Sequence, residues 1–126
     1  MTDLVEPLRL NVLADVRSLP TLRRSIRSWL SGVGAEDAED VVLAVHEAVA
    51  NAMEHAGLRP DGVITVGADV VAGVLHVSVR DDGAWRERTA DDTRGRGLDI
   101  MRAMMDHVEL DIEQGSTSIV MTRDLS

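Results

Sequence analysis

Two neighbouring runs in the middle of the chain alternate apolar and polar residues, and they constrain the fold more than any other feature. The first, GVITVGADV, begins at Gly62, and the second, GVLHVSVRD, ends at Asp81, with VAG at the connection. A period of two is typical of strands that bury one face, and a short glycine-containing connection is typical of a hairpin. The pattern therefore predicts an antiparallel hairpin, which needs a second layer to cover its apolar face.

Helical and strand patterns on either side of the hairpin supply that second layer. Residues 8–13 alternate as a strand, and helices are predicted over residues 18–30 and from about Glu36 to His55. A short helix follows Gly97, and the chain ends in two strands, HVELDI and STSIVMTR. The order β-α-α-β-β-α-β-β predicts one α+β domain over residues 1–126. We expect a two-layer sandwich with a mixed, mostly antiparallel sheet and the helices on one face.

The composition excludes several classes of function. The formal charge of −9 makes direct nucleic-acid binding unfavourable, because an acidic surface repels phosphates. The chain has no Cys, which excludes disulfides and thiolate chemistry, and all 13 basic residues are Arg. Without Lys there is no P-loop or kinase lysine, so a nucleotide would have to be held by Arg, backbone amides and a metal. We see neither a signal peptide nor an apolar run of about 18 residues, so we expect a cytoplasmic protein without membrane contact.

The stretch EAVANAMEHA, residues 47–56, carries a line of polar residues along an otherwise apolar helix. On a helical wheel Asn51 lies about 40° and His55 about 80° from Glu47, so the three share a face. A solvated surface would explain this line, but Asn is a poor helix former in the middle of a helix. The neighbouring alanines would also let a ligand approach. The helix alone leaves both interpretations open.

Two glycine-containing motifs follow this helix. VRDDGAW places an Asp pair and Gly83 at the end of an apolar strand, either as an ordinary turn or as a carboxylate aimed at an amino group. RGRGLDIM places Gly95 and Gly97 before an apolar helix, whose N-terminus offers free N–H groups to a phosphate. Each motif is weak alone, but the three in this order are far more specific.

This combination resembles the Bergerat-fold ATP-binding superfamily of gyrase, heat-shock chaperone, histidine kinase and mismatch-repair ATPases. EAVANAMEHA is similar to the N-box of that superfamily, DDG to its first glycine box and GRGLDIM to its second. The length, the Glu-x-x-x-Asn-x-x-x-His form and the final GSTSIVM are most similar to the anti-sigma factor serine kinases. The similarity runs from LRLNVL to IVMTR, and it implies ATP and Mg²⁺ as cofactors.

The resemblance implies roles for individual residues. Asn51 would be the ligand to Mg²⁺, and Glu47 would be the general base that takes the proton from an acceptor hydroxyl. Asp81 would accept a hydrogen bond from the adenine amine, and Gly83 would let the base lie against the backbone.

The resemblance also implies an ATP lid over residues 82–97. The remaining implied cofactor-binding residues are Arg94, Gly95, Arg96, Gly97, Leu98 and Thr117. The two glycines and the leucine would form the lid hinge and helix entry, and either arginine could contact the γ-phosphate. The threonine would support the adenine pocket from the last strand, through a water.

Two positions depart from the pattern of the family. Trp85 stands where a second glycine of the first box is usual, and Ser116 separates Gly115 from Thr117 where a Gly-Thr pair is expected. These departures leave open whether kinase activity is retained.

The resemblance implies an ATP-dependent anti-sigma factor with protein serine/threonine kinase activity. Such a protein sequesters a sigma factor and phosphorylates a Ser of a STAS-type anti-anti-sigma partner, and it is expected to form a homodimer. The alternative is an ATP-binding regulatory switch with little or no kinase activity. Glu47 favours the kinase, because binding alone needs no base, whereas Trp85 favours the switch. A histidine kinase catalytic domain fits less well, since we find no dimerising helix pair with a phosphoacceptor His.

Overall fold

The computed structural model describes residues 5–55, 62–81, 96–113 and 116–125. Within these ranges the chain forms five strands and three helices in the predicted order. They are β1 (Leu8–Leu13), α1 (Leu19–Val33), α2 (Ala38–His55), β2 (Val63–Val71), β3 (Val74–Asp81), α3 (Arg96–Met104), β4 (His107–Glu113) and β5 (Ser116–Asp124). A short 3-10 turn, Val16–Ser18, connects β1 to α1.

The described strands form a single sheet in the order β1-β2-β3-β5-β4. The predicted hairpin is confirmed: Val71 pairs with Val74 across Ala72 and Gly73, which have φ angles of 52° and 77°. Two successive left-handed residues match the twist of the strands in a two-residue hairpin. The expected mixed sheet is instead antiparallel at every described pairing, because two hairpins and two helical connections place each strand antiparallel to its neighbours.

One face of the sheet is covered by the helices and holds the core. The buried side chains of the three central strands alternate along each strand: Ile64, Val66, Ala68, Leu75, Val77, Val79, Ile119 and Met121. Helix α1 adds Leu22, Ile26 and Leu30 to this core, α3 adds Met101, and Met105 follows directly after α3. The opposite face of the sheet carries the intervening, mostly polar residues, as is common for antiparallel sheets.

The helix boundaries differ slightly from the predicted ones. Helix α1 ends at Gly34, whose φ of 77° is left-handed, and α2 begins at Ala38 because Asp37 has a non-helical φ of 55°. Helix α3 begins at Arg96, so the last two residues of the predicted lid, 82–97, belong to a helical turn that packs on α2. None of the helices in the described ranges is long and apolar enough to cross a membrane.

Candidate functional site

Asn51, in the C-terminal half of α2, has a buried side-chain amide without a partner. The residue is 7% exposed, and its Nδ2 donates no hydrogen bond among the described residues. Leaving a buried donor unpaired costs about 1–3 kcal/mol, so native proteins rarely do so without a reason. Burial also excludes the solvated-face interpretation for this position. The amide is therefore available to a group from outside the chain.

Gly97, in the first turn of α3, lies directly against this amide. A Cβ at position 97 would stand 2.5 Å from Nδ2 of Asn51, 2.9 Å from Oδ1 and 3.0 Å from Cγ. Real Cβ atoms do not make such contacts, so a side chain at position 97 would displace the amide of Asn51. The approach brings the N-terminus of a helix, with free N–H groups and about half a positive charge, next to an unpaired amide. This combination suits an anionic oxygen.

The same amide also suits a cation. Rotating the side chain of Asn51 by half a turn exchanges Nδ2 and Oδ1, two atoms of nearly the same size. The oxygen would then occupy the unpaired position. Mg²⁺ takes oxygen ligands, and its sites often use one or two protein side chains together with phosphate oxygens and water. The residues present therefore fit a Mg²⁺ ion that accompanies a phosphate chain.

Glu47 lies one helical turn before Asn51 on α2 and is half-buried. Residues four apart on a helix are neighbours on its surface, so the carboxylate and the amide lie on the same side of α2. The two alanines beside them, Ala44 and Ala48, are fully buried. The line of polar residues thus runs along the border between the buried surface of α2 and its accessible surface, where a carboxylate can reach a bound molecule.

Asp81 and Thr117 form a second pair of polar residues on the buried face of the sheet. They are cross-strand partners at the end of β3 and the beginning of β5, and they are 3% and 1% exposed. Alternation along the strands places both on the side that the helices cover. Their side chains are therefore neighbours despite their distance in sequence. A desolvated carboxylate beside a hydroxyl can recognise an amino group strongly, because a charged hydrogen bond is worth about 1.5–3 kcal/mol.

Helix α2 packs on both β3 and α3, so both pairs lie at the interface between the helices and the sheet. Leu98 is half-buried and packs against the core. Arg96 opens α3, but its side chain is not among those the structure describes. Four further residues of interest lie outside the described residues: Gly83, Trp85, Arg94 and Gly95.

A groove of about 440 Å³ formed by described residues lies elsewhere. It surrounds Gly67 on the open face of the sheet, with Arg9 and Arg80 at its sides. The register of the strands places this groove on the face opposite Asp81 and Thr117. We base the candidate site on the unpaired amide and the buried carboxylate rather than on groove volume, since those groups carry recognisable chemistry.

Sequence reasoning missed Arg123, which lies near the end of β5 on the face that the helices cover. Its Nη1 donates a hydrogen bond of 3.0 Å to the carbonyl oxygen of Met104, the last residue of α3. The guanidinium also lies 3.7 Å from a carboxylate oxygen of Asp37 and 3.8 Å from one of Asp40. The alternation of β5 could have identified it, because that pattern places Arg123, a charged residue, on the buried face of the strand.

The chain is similar to known proteins over most of its length. The family of histidine kinase-like ATPase domains matches residues 12–123. The anti-sigma F factor of Clostridium acetobutylicum is 28% identical over 131 aligned positions, which cover 92% of each chain.

Two solved structures resemble the chain. The structure of the RsbU and RsbW domains of Rv1364c from Mycobacterium tuberculosis has a TM-score of 0.79 and 28% identity, covering 95% of this chain and 32% of that one. The blue-light activated histidine kinase EL346 of Erythrobacter litoralis has a TM-score of 0.57 and 27% identity, covering 71% of this chain and 30% of that one. The chain thus spans about a third of either solved protein.

The family match extends from β1 into β5 and includes Asn51, Asp81, Gly97 and Thr117. On this evidence the chain belongs to the family of histidine kinase-like ATPase domains.

Proposed function

We propose that this chain is an ATP-dependent anti-sigma factor that also phosphorylates a serine of a STAS-type partner. The observation that carries the proposal is the unpaired, buried amide of Asn51 beside Gly97 at the N-terminus of α3. A protein that only packs against another protein has no need of such a group, whereas a site for a nucleotide and its metal ion does.

In this proposal, one pair of polar residues binds the adenine and the other side of the site binds the phosphates. Asp81 would accept a hydrogen bond from the adenine amine, with Thr117 beside it, since both are buried polar residues on the face that the helices cover. Asn51 and the N-terminus of α3 would receive the phosphates. When bound, Mg²⁺ would be held by Asn51 and the phosphate oxygens, and it would neutralise part of the phosphate charge.

Glu47 is proposed as the general base. In the transfer, the acceptor serine oxygen forms a bond to the γ-phosphorus while the bond between that phosphorus and the bridging oxygen breaks, and ADP leaves with the electron pair. The carboxylate of Glu47 takes the proton of the serine hydroxyl. Such transfers depend mainly on positioning and charge neutralisation, and a single correctly placed carboxylate suffices to orient the hydroxyl. Arg94 or Arg96 would contact the γ-phosphate.

The proposed partners follow from the relatives. One relative is named an anti-sigma F factor, and one solved neighbour contains an RsbW domain beside an RsbU domain. We therefore propose a sigma factor as the sequestered partner and a STAS-type protein as the phosphorylated one, which would place this chain in the cytoplasm. We further propose that it works as a homodimer.

The experiment that tests the proposal separates binding from transfer. ATP is titrated into the protein with Mg²⁺ and with EDTA. Phosphoserine on each STAS-type protein of the source organism is then followed by mass spectrometry. Glu47→Gln should bind ATP as the wild type does and should transfer no phosphate. Glu109→Gln changes an exposed residue of β4 on the open face of the sheet, and this variant should bind ATP and transfer phosphate as the wild type does.

The outcomes distinguish the two candidate functions. If the wild type does not bind ATP, the proposed function is wrong. If Glu47→Gln still phosphorylates its partner, the assignment of the base is wrong. If the wild type binds ATP and captures a sigma factor but transfers no phosphate, the chain is the ATP-binding switch that Trp85 favours.

A further inference from the structure

We propose that Arg123 is a positioning residue of the nucleotide site and that it acts through α3. This inference rests on the proposed function. By holding the C-terminus of α3 against the N-terminus of α2, Arg123 sets how closely Gly97, at the other end of α3, approaches Asn51.

The contacts of Arg123 join three elements. Its Nη1 donates to the carbonyl oxygen of Met104 at the end of α3, at 3.0 Å. The carboxylates of Asp37 and Asp40, at the beginning of α2, lie 3.7 and 3.8 Å from the same guanidinium. The side chain is only 18% exposed, so its charge is largely removed from water. Arg123 itself belongs to β5, the strand that carries Thr117.

Helix α3 depends on contacts of this kind. It has nine residues, and helices of that length are marginal in isolation. The last carbonyl groups of a helix have no partners within it and carry partial negative charge, so a guanidinium at that end satisfies a bond and favours the helix dipole. The apolar contacts of Met101 and Met105 hold α3 on the core, but they leave its position along α2 less defined than a directed hydrogen bond does.

Helices α2 and α3 run in opposite directions. The beginning of α2, at Asp40, is near the end of α3, at Met104, through Arg123. The later part of α2, at Asn51, touches the beginning of α3, at Gly97. The span from Gly97 to Met104 is about 10 Å at 1.5 Å per residue. Two contacts at opposite ends therefore define the position of this short rigid element, and a change at one end is transmitted to the other.

The segment after α3 is also held to β5. The backbone N–H of Asp106 donates to the carbonyl of Thr122 at 2.9 Å. The N–H of Asp124 donates to the carboxylate of Asp106 at 2.7 Å. These bonds fix the chain beyond the helix, but they do not reach α2. Arg123 is therefore the described side chain that connects α2, α3 and β5 in one set of contacts.

A second arginine provides a matched control. Arg27 of α1 donates to Glu39 in the first turn of α2, with bonds of 2.7 and 2.9 Å. It binds a carboxylate in the same turn of α2 that holds Asp40, but within the described part of the chain its hydrogen bonds and ion pairs do not include α3. Replacing Arg27 therefore removes a comparable charged contact from α2 without touching the proposed link.

The experiment compares Arg123→Gln with Arg27→Gln in the full chain. Amide hydrogen exchange of residues 97–104 is measured without nucleotide, and ATP is titrated with Mg²⁺ and with EDTA. Arg123→Gln should speed exchange in α3 and weaken binding of ATP with Mg²⁺ about tenfold, because a charged hydrogen bond is lost. Binding in EDTA, which depends on the adenine end, should change less than about twofold. Arg27→Gln should change neither measurement.

Two further variants cover the case in which Arg123→Gln does not fold. Arg123→Lys keeps the charge but lacks the planar guanidinium. Its ATP affinity with Mg²⁺ should therefore lie between those of the wild type and Arg123→Gln. Asp40→Asn removes the charge of a half-exposed acidic partner of Arg123. It should also speed exchange in α3 and weaken binding of ATP with Mg²⁺, but less than Arg123→Gln does.

Each result decides a different claim. If these variants leave both α3 exchange and Mg²⁺-dependent affinity at the wild-type values, Arg123 does not position the site. Equal losses with Mg²⁺ and with EDTA would show a general structural role and would also overturn the proposal. If the wild type itself does not bind ATP, the proposed function fails, whereas the exchange of α3 still reports whether Arg123 holds that helix.

Discussion

Gly97 and Asn51 are in such close contact that a side chain at position 97 would displace the amide of Asn51. A Cβ there would meet all three terminal atoms of the amide at 2.5 to 3.0 Å. The contact joins the two helices on which the proposed phosphate end of the site depends, although Asn51 and Gly97 are 46 positions apart in the sequence.

Gly97→Ala tests this contact. Alanine favours a helix over glycine by about 1 kcal/mol, so propensity alone predicts a more stable protein. The clash with Asn51 predicts the opposite: a lower melting temperature and at least about tenfold weaker binding of ATP with Mg²⁺. Thermal unfolding and ATP titration measure the two effects.

Gly32→Ala is the control for that change. Gly32 lies within α1, and a Cβ there would have nothing within 4 Å. Helix propensity should then act alone and raise the free energy of unfolding by about 0.5–1 kcal/mol. An equal gain in stability from Gly97→Ala would contradict the close contact.

Asn51→Ala separates stability from binding. Removing the amide loses some packing but also removes an unpaired buried donor, so the free energy of unfolding without nucleotide should change by less than about 1 kcal/mol. The rise in melting temperature on adding ATP and Mg²⁺ should disappear. Asn11→Ala, at an exposed hydrogen bond on β1, should keep that rise. A normal ligand-induced rise in Asn51→Ala would exclude this residue from the site.

Asp81→Asn tests the adenine end. The amide has nearly the same shape as the carboxylate, but it has lost the charge that strengthens a bond to the adenine amine. ATP affinity should fall by about 10- to 100-fold, since a charged hydrogen bond contributes about 1.5–3 kcal/mol. The fall should be equal with Mg²⁺ and with EDTA, unlike that of Asn51→Ala. Asp69→Asn, on the open face of β2, should bind ATP normally, and titration calorimetry can check both.

The free energy of unfolding should depend on pH through Asp15, which lies outside the proposed nucleotide site. Hydrogen bonds from the side chain and backbone of Arg17 lower the pKa of Asp15 from 3.8 to about 2. Because the folded pKa lies below the unfolded one, this stabilisation is fully present above pH 3.8 and is lost as the pH falls through about 2. The difference in urea midpoint between the wild type and Asp15→Asn should therefore be largest near neutral pH, shrink below pH 3.8 and disappear only below about pH 2. A constant difference over this range would contradict the pKa shift.

The elements of the fold could be predicted because they depend on local periodicity. The alternation of residues 63–81 defines the hairpin, and the 3.6-residue period defines α1 and α2, almost to their observed ends. The alternation of β5 likewise determines that Thr117 and Arg123 share a face. The resemblance of the three motifs to an ATP-binding family was also visible in the sequence, and the comparisons confirm the family.

The wheel of α2 could show that Glu47 and Asn51 share a side, but not what covers that side. Only the tertiary structure decides that Asn51 is buried under Gly97, because the covering helix is 45 residues away in sequence and is placed by packing on the core. The pairing of Asp81 with Thr117 likewise depends on strand order, which periodicity does not define. Arg123 contacts Met104 for the same reason: local patterns determine which face a residue occupies, whereas long-range packing determines its neighbours.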